Sequence, residues 1–379
     1  LAMTYDSKSS TTTTDVRNMI SFWIFGVCNN FGFSVMLSAA QDILNRHERS
    51  PFEKNVTDFC VPTITSRICS PTSAGVVLLC NILPALLVKL MCPFVMHRIP
   101  YGIRHFVICS LQVTSLLVTA FAESVPAALI GVCVASIAGG FGETTYLGLA
   151  GHYSKHTIAT WSSGTGMAGL AGAFSYAGMT DARLLALTST QAMLVMLVVP
   201  AVFAFTQSEI KAPPSATDVA SVQTNAQPSL VEQLKVVKSL LKYMVPMFLV
   251  YVAEYLINQG LLELTVFDCS HGYGTSPASQ YRWYQVMYQT GAFISRSSLK
   301  LVQFNMTFIA LMPLLQLLNT IFLTFNAIYA FVPHFGMVDP SIREFALSTV
   351  SLADTLGILV AALTAIPLHN AICAMQWYG

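Results

Sequence analysis

Glu254 is the residue in this sequence whose position most needs a chemical explanation. It stands in Tyr251-Val252-Ala253-Glu254-Tyr255-Leu256-Ile257-Asn258-Gln259-Gly260-Leu261-Leu262-Glu263, inside an apolar run long enough to cross a bilayer. On a helix Tyr251, Glu254 and Asn258 fall at i, i+3 and i+7 and share one face, with Tyr255 and Gln259 beside it. A charge at mid-membrane costs about 2.5–3.5 kcal/mol, so this stripe must face protein or a watered cavity. The chemistry open to Glu254 is to exchange a proton or to face a cation. The plainer alternative is a carboxyl group that only fixes helix packing.

A second set lies in Gln280-Tyr281-Arg282-Trp283-Tyr284-Gln285-Val286-Met287-Tyr288-Gln289. Arg282, Gln285, Gln289 and Arg296 recur along one helical face, and Tyr281, Tyr284 and Tyr288 line an adjacent one. A guanidinium forks onto a phosphate or carboxylate, so these residues suit a small anionic or zwitterionic solute. Arg282 also has a plainer reading, snorkelling to headgroups near the outer surface. Asn29, Glu143 in Gly139-Gly140-Phe141-Gly142-Glu143-Thr144-Thr145, and Asp354 in Ser351-Leu352-Ala353-Asp354-Thr355-Leu356-Gly357 add polar groups at membrane depth, with Lys89 as a candidate counter-charge. The histidines are scattered, and no nucleophile is paired with a base. No CxxC or HExxH spacing predicts a metal or a cofactor. Gly164-Thr165-Gly166 lacks the Gly-Lys-Ser/Thr ending of a phosphate loop.

The elements that must position these residues are membrane spans. The chain has 379 residues, 54% hydrophobic and only 10% charged, with a mean hydropathy of +0.61, against about a quarter charged residues in a soluble domain. A net charge of +1 offers no basic stripe for nucleic acid. About ten candidate spans run approximately Asn18 to Ala40, Ser73 to Met96, Ile103 to Ala122, Pro126 to Ala150, Trp161 to Thr180, Leu184 to Thr206, Leu240 to Thr265, Tyr281 to Ser298, Val302 to Ala330 and Phe345 to Ile372. The organisation is a polar tail (1–16) that does not read as a signal peptide, a six-helix bundle (17–206), a flexible cytosolic loop (207–238) holding Pro213, Pro214 and Pro228, and a second bundle (239–379). In the fifth span Ser162 with Gly166, and Ala168 with Gly172, have the four-residue spacing of tightly packed helices.

Lys and Arg in the short loops place the N-terminus in the cytosol. The sequon Asn55-Val56-Thr57 then lies in the first outer loop, where it can be glycosylated, whereas Asn305-Met306-Thr307 lies at a cytosolic mouth and is expected to be unused. Cys60 and Cys69 share that outer loop and are close enough to pair in an oxidising lumen, with Cys269 in a later outer loop as a competing partner.

The chain resembles the battenin family. The resemblance is carried by Ser38-Ala39-Ala40 with Asp42-Ile43-Leu44 after Cys28-Asn29-Asn30, Trp161-Ser162-Ser163-Gly164-Thr165-Gly166, Ala253-Glu254-Tyr255 through Asn258-Gln259-Gly260-Leu261, Gln280-Tyr281-Arg282-Trp283-Tyr284-Gln285, Ser295-Arg296-Ser297-Ser298 and Arg343-Glu344-Phe345-Ala346. It implies a lysosomal or late-endosomal (in fungi, vacuolar) membrane protein with a major-facilitator-like fold. It also implies a role in lysosomal pH, basic amino-acid balance and glycerophosphodiester clearance. Three departures stand out. One family span between the matches to Phe331-Val332-Pro333 and Ile342-Arg343-Glu344 is missing, which a skipped exon or incomplete gene model would explain and which would invert the last helix. Leu240-Leu241 lacks the acidic residue of a sorting signal, and Cys373-Ala374-Met375-Gln376-Trp377-Tyr378-Gly379 does not end in a prenylation motif.

The resulting expectation is an all-α polytopic transporter, not an enzyme, whose halves rock around a central cavity. Glu254, Glu143 and Asp354 would face protons or cations, and Arg282 and Arg296 would engage an anion or gate the path. Asn29, Asn258, Gln259, Tyr281, Tyr284 and Gln285 would contact solute. Its partners would be the bilayer, protons and a small solute such as a glycerophosphodiester or amino acid. The alternatives are a scaffold controlling endolysosomal trafficking through cytosolic partners of its central loop, and an intramembrane lipid-modifying enzyme, for which no catalytic constellation is present.

Overall fold

The computed structural model of the chain describes residues 13–48, 60–62, 73–95, 99–150, 153, 155–206, 230–269, 272–297 and 306–329. Among these, the regular elements are helical: α1 (Thr13–Ser38), α2 (Ala40–Glu48), α3 (Gly75–Val95), α4 (Tyr101–Ala120), α5 (Val125–Ala150), α6 (Lys155–Thr180), α7 (Ser189–Val195), α8 (Val198–Thr206), α9 (Leu230–Leu256), α10 (Pro277–Ser297) and α11 (Met306–Tyr329). By length and composition Val16–Ser38, Gly75–Cys92, Tyr101–Ala120, Val125–Ala150, Ser189–Thr206 and Met244–Leu264 can cross a membrane. The outward surface fits that setting, since Phe106, Phe205, Ile294 and Leu318 are exposed apolar side chains. The tenth expected span with Asp354, the sequon Asn55, Cys69 and the segment 207–229 lie outside the described residues.

Successive long helices alternate in direction, which sorts their connections to two ends. One end gathers the α1–α2 corner, the start of α3, the α6–α7 connection and the α9–α10 connection. The opposite end gathers the starts of α1, α4 and α6 and the close of α10. The first half (α1–α8) meets the second (α9–α11) along α6 and α10, and through a cluster of Leu37, Leu78 and Ile82 with Tyr251 and Tyr255.

Tight packing of α1 on α6 sets the frame. A Cβ at Gly164 would lie 2.3 Å from the Trp23 carbonyl oxygen, and one at Gly26 would lie 2.6 Å from the Trp161 oxygen. Both neighbours are backbone and cannot yield. Gly166 and Gly172, picked out by their spacing, likewise serve packing, against Arg296 and Phe293 and against Ser34. Gly164→Ala should therefore lower stability by about 1–3 kcal/mol, the cost of overpacking, read as a fall in unfolding temperature in detergent.

Three expected elements differ. The span Leu184 to Thr206 does not form as one helix. Ala186 takes a left-handed φ of 47°, and the helix starts only where Thr188 forms a capping box with Gln191. Pro200, with no N–H to give to Met196, then separates α7 from α8. The loop expected to run to Lys238 ends sooner, because α9 begins at Leu230, where Leu230-Val231-Glu232-Gln233-Leu234 resumes an apolar period just beyond Pro228. The helix carrying Glu254 also stops being regular: Ile257–Leu261 widens into a π-turn and Leu262–Leu264 tightens into a 3₁₀ turn.

Candidate functional site

The face that the sequence marks on α9 meets the face it marks on α10 in three rungs. Tyr281 donates its hydroxyl to Gln259 Oε1 at 2.6 Å. Gln285 Nε2 donates to the Asn258 carbonyl at 3.4 Å. Tyr288 donates to Glu254 Oε1, and Asn258 Nδ2 returns a bond to the Glu254 carbonyl at 3.0 Å. Tyr281, Gln285 and Tyr288 follow at i, i+4 and i+7 on one α-helix. Two of their partners, Asn258 and Gln259, lie side by side in the π-turn, in keeping with the placement of π-bulges at functional sites, while Glu254 lies one turn earlier on α9.

Tyr281, Gln285, Asn258 and Gln259 are all buried, so each is committed to the interhelix ladder rather than open to solute in this conformation. Binding capacity remains. Gln259 Nε2, the Tyr284 hydroxyl, Gln285 Oε1 and Asn29 Oδ1 are buried with no hydrogen-bond partner among the described residues. Asn29 itself donates to the Gly139 carbonyl at 3.1 Å. A Cβ at Gly142 would fall 1.8 Å from Asn29 Oδ1, so the glycines beside Glu143 do admit α1 closely.

The charged residues are paired. Lys89, the candidate counter-charge, meets Glu143 at 2.9 Å. Arg296 Nη1 donates to Thr165 Oγ1 at 3.1 Å, and Ser297 shares a hydroxyl bond with Ser163 at 3.0 Å; both bonds join α10 to α6. Arg282 does not extend to headgroups: its Nη1 meets Asp42 Oδ2 at 2.7 Å, and the same oxygen accepts the Tyr176 hydroxyl at 2.9 Å.

Three acids stand at that end, of which sequence reasoning noted Asp42 without a role and did not mark Asp181 or Glu263. Asp42 opens α2. Asp181 Oδ2 accepts from Ser279 Oγ at 2.7 Å and from Trp283 Nε1 at 2.9 Å. Glu263 accepts from Ser73 Oγ at 2.7 Å and from the Ala74 N–H at 2.9 Å, which caps the start of α3. The signal that could have found Asp42 and Asp181 was an acid at the end of an apolar run in a chain with few charges.

Burial works to raise the Asp181 pKa, but hydrogen bonds from Trp283, the Arg183 N–H and Ser279, with the Arg282 charge nearby, outweigh it and hold the carboxyl below its usual range. A group depressed in this way contributes stability above about pH 4 and loses it only as pH falls through the lowered value. Asp181 therefore stays charged, and its contacts closed, from neutral pH down to about pH 5.

Cys60 pairs with Cys269 rather than with Cys69, across a sequence separation of 209. The choice is positional. The Cys269 N–H also bonds to the Val61 carbonyl at 2.9 Å, and Gln280 grips the backbone of Phe267 through both ends of its amide, at 2.8 and 2.9 Å. These contacts hold the second-half loop where the first-half loop can dock. Peptide mapping should recover the Cys60–Cys269 link, and Cys269→Ser should cost about 2–4 kcal/mol of stability.

The family model described as CLN3 protein matches residues 20–227 and 206–339. The chain is 38% identical to battenin of Canis lupus familiaris over 95% of its own length and 92% of that protein. It belongs to the battenin family. Protein btn-1 of Neurospora crassa is 30% identical over 96% of this chain and 89% of that protein. Among solved structures, a D-xylose-proton symporter superposes with a TM-score of 0.50 at 10% identity, over 94% of this chain and 80% of that one. That likeness shows the fold alone: this battenin-family chain is an all-α, multi-pass membrane protein with a major-facilitator-like bundle, as the resemblance implied.

Proposed function

We propose that this battenin-family protein is a transporter, or a regulator of transport, in the lysosomal or vacuolar membrane, and that it works by rocking of its two halves. The observation that carries the reading is the interface between the halves. Polar bonds between them gather towards both ends, in Arg282–Asp42, Asp181–Ser279 and Glu263–Ser73 at the disulfide end and in Arg296–Thr165 and Ser297–Ser163 towards the other, and the carboxylates stand at the disulfide end. Two helical halves held together by exchangeable polar bonds rather than by a continuous apolar seal suit alternating access.

The disulfide supports an orientation. Disulfides persist in oxidising compartments, so the end with Cys60–Cys269 is assigned to the lumen and the N-terminus to the cytosol. The sequon Asn55 lies in the same connection as Cys60. Arg296 and the buried amides suit a small anionic or zwitterionic solute, and the family resemblance adds glycerophosphodiesters and basic amino acids as the compounds to try first.

The test is uptake and efflux of labelled glycerophosphodiesters and basic amino acids in proteoliposomes, with and without a pH gradient, for this chain and for a version carrying the family's additional span. Saturable flux supports the reading. No flux from either folded protein overturns it in favour of a scaffold, which replacing 207–229 with a Gly/Ser linker would then disable.

A further inference from the structure

We propose that Asp42, Asp181 and Glu263 form a reciprocal interdomain latch that keeps the disulfide end closed, with the first two turns of α10 as its moving jaw. This deepens the two-half reading above by naming the gate. Asp42 on α2 and Asp181 after α6 belong to the first half, and both accept from α10: Asp42 from Arg282 at 2.7 Å, and Asp181 from Ser279 at 2.7 Å and Trp283 at 2.9 Å. Glu263 belongs to the second half and accepts from the start of α3, through Ser73 at 2.7 Å and Ala74 at 2.9 Å. The Tyr281 hydroxyl, whose one proton goes to Gln259, also comes within 3.4 Å of the Leu37 carbonyl. Each half thus presents acids to donors on the other, and neither can withdraw without breaking both sets.

The chemistry of the latch suits a gate better than a permanent seal. An apolar interface opened to water would lose its burial outright. Carboxylates and a guanidinium regain hydration on opening, so the net cost of exchanging protein bonds for water bonds stays small. Closed and open states can then lie close in free energy.

The disulfide complements this arrangement. Cys60–Cys269 joins the same two halves, and Gln280 ties its second-half loop back to α10, donating to the Phe267 carbonyl at 2.9 Å and to the Thr275 carbonyl at 3.1 Å. It acts as a tether that limits how far the jaws separate once the acids let go, while the acids decide whether they separate.

Hydrogen–deuterium exchange of the full chain in lipid nanodiscs, without solute, tests this. Asp42→Asn, Asp181→Asn, Glu263→Gln and the triple variant are compared with the unmodified chain. In the triple variant, amides at the start of α3 (Gly75 to Leu78) and of α10 (Gln280 to Tyr284) should exchange at least about tenfold faster, the scale of one lost charge-assisted bond. Amides at the opposite end, Phe293 to Ser297 and the first turns of α6, already tied by Arg296–Thr165 and Ser297–Ser163, should keep or gain protection, because closing one end is the counterpart of opening the other. Faster exchange at both ends, as simple destabilisation would give, or no change at the disulfide end, overturns the latch. The readout needs no cargo, so reciprocal exchange without proteoliposome flux would leave the latch standing and remove the transport reading.

Discussion

Glu254→Gln should abolish the stimulation of uptake by a pH gradient, a loss of at least about tenfold and thus about 1.4 kcal/mol of coupling, while the protein stays folded. The reason lies in the geometry at Tyr288. Glu254 Oε1 accepts the Tyr288 hydroxyl, and an amide oxygen can accept that bond as well. The substitution thus spares the ladder between α9 and α10 and removes only the group that can exchange a proton. Tyr288→Phe is the companion experiment, since it keeps the carboxyl and deletes the hydroxyl; it should move the midpoint of the pH profile without erasing the dependence. The measurement is initial uptake against internal and external pH in proteoliposomes. A Glu254→Gln profile that overlays the unmodified one would take Glu254 out of proton coupling and leave it a packing residue.

Lys89→Met should destabilise the first half by about 3–5 kcal/mol, because it leaves Glu143 charged inside the bundle without its ammonium partner. The two side chains are only 12% and 24% exposed and meet at 2.9 Å. Adding Glu143→Gln to Lys89→Met should recover most of the loss, since a buried pair removed together costs far less than one broken. Unfolding temperatures of the two single variants and the double variant in detergent decide this. If Lys89→Met alone is neutral, the pair is solvated enough to contribute little, and Glu143 carries its charge without help.

The ladder between α9 and α10 shows how far periodicity reaches. That Glu254 and Asn258 share a face, and that Gln285 lies on a face adjacent to the one lined by Tyr281 and Tyr288, follows from helical spacing alone. That these faces bond to each other depends on how the helices dock. Spacing also could not reveal the π-turn at Ile257–Leu261: one extra residue in a turn is a response to packing, with no propensity signature in Ile-Asn-Gln-Gly-Leu. The corrected disulfide makes the same point. Cys60 and Cys69 are neighbours in sequence, yet the partner of Cys60 is Cys269, whose loop is held by Gln280 and the Val61 carbonyl with the two Cα atoms 5.0 Å apart.

Arg282 illustrates the remaining gap. Its sequence position, near the start of a polar span, allowed a role at headgroups or on a solute. The bundle instead brings Asp42 to it from a helix 240 residues away. Composition and hydrophobic run length determined by themselves that this chain is a multi-span helical membrane protein, because a bilayer admits few other solutions to burying apolar surface and satisfying backbone polar groups. The cysteine pairing, the partner of each buried charge and the acids at the disulfide end were decided only by tertiary structure, because these interactions act through space between helices whose order in the sequence does not encode their distance.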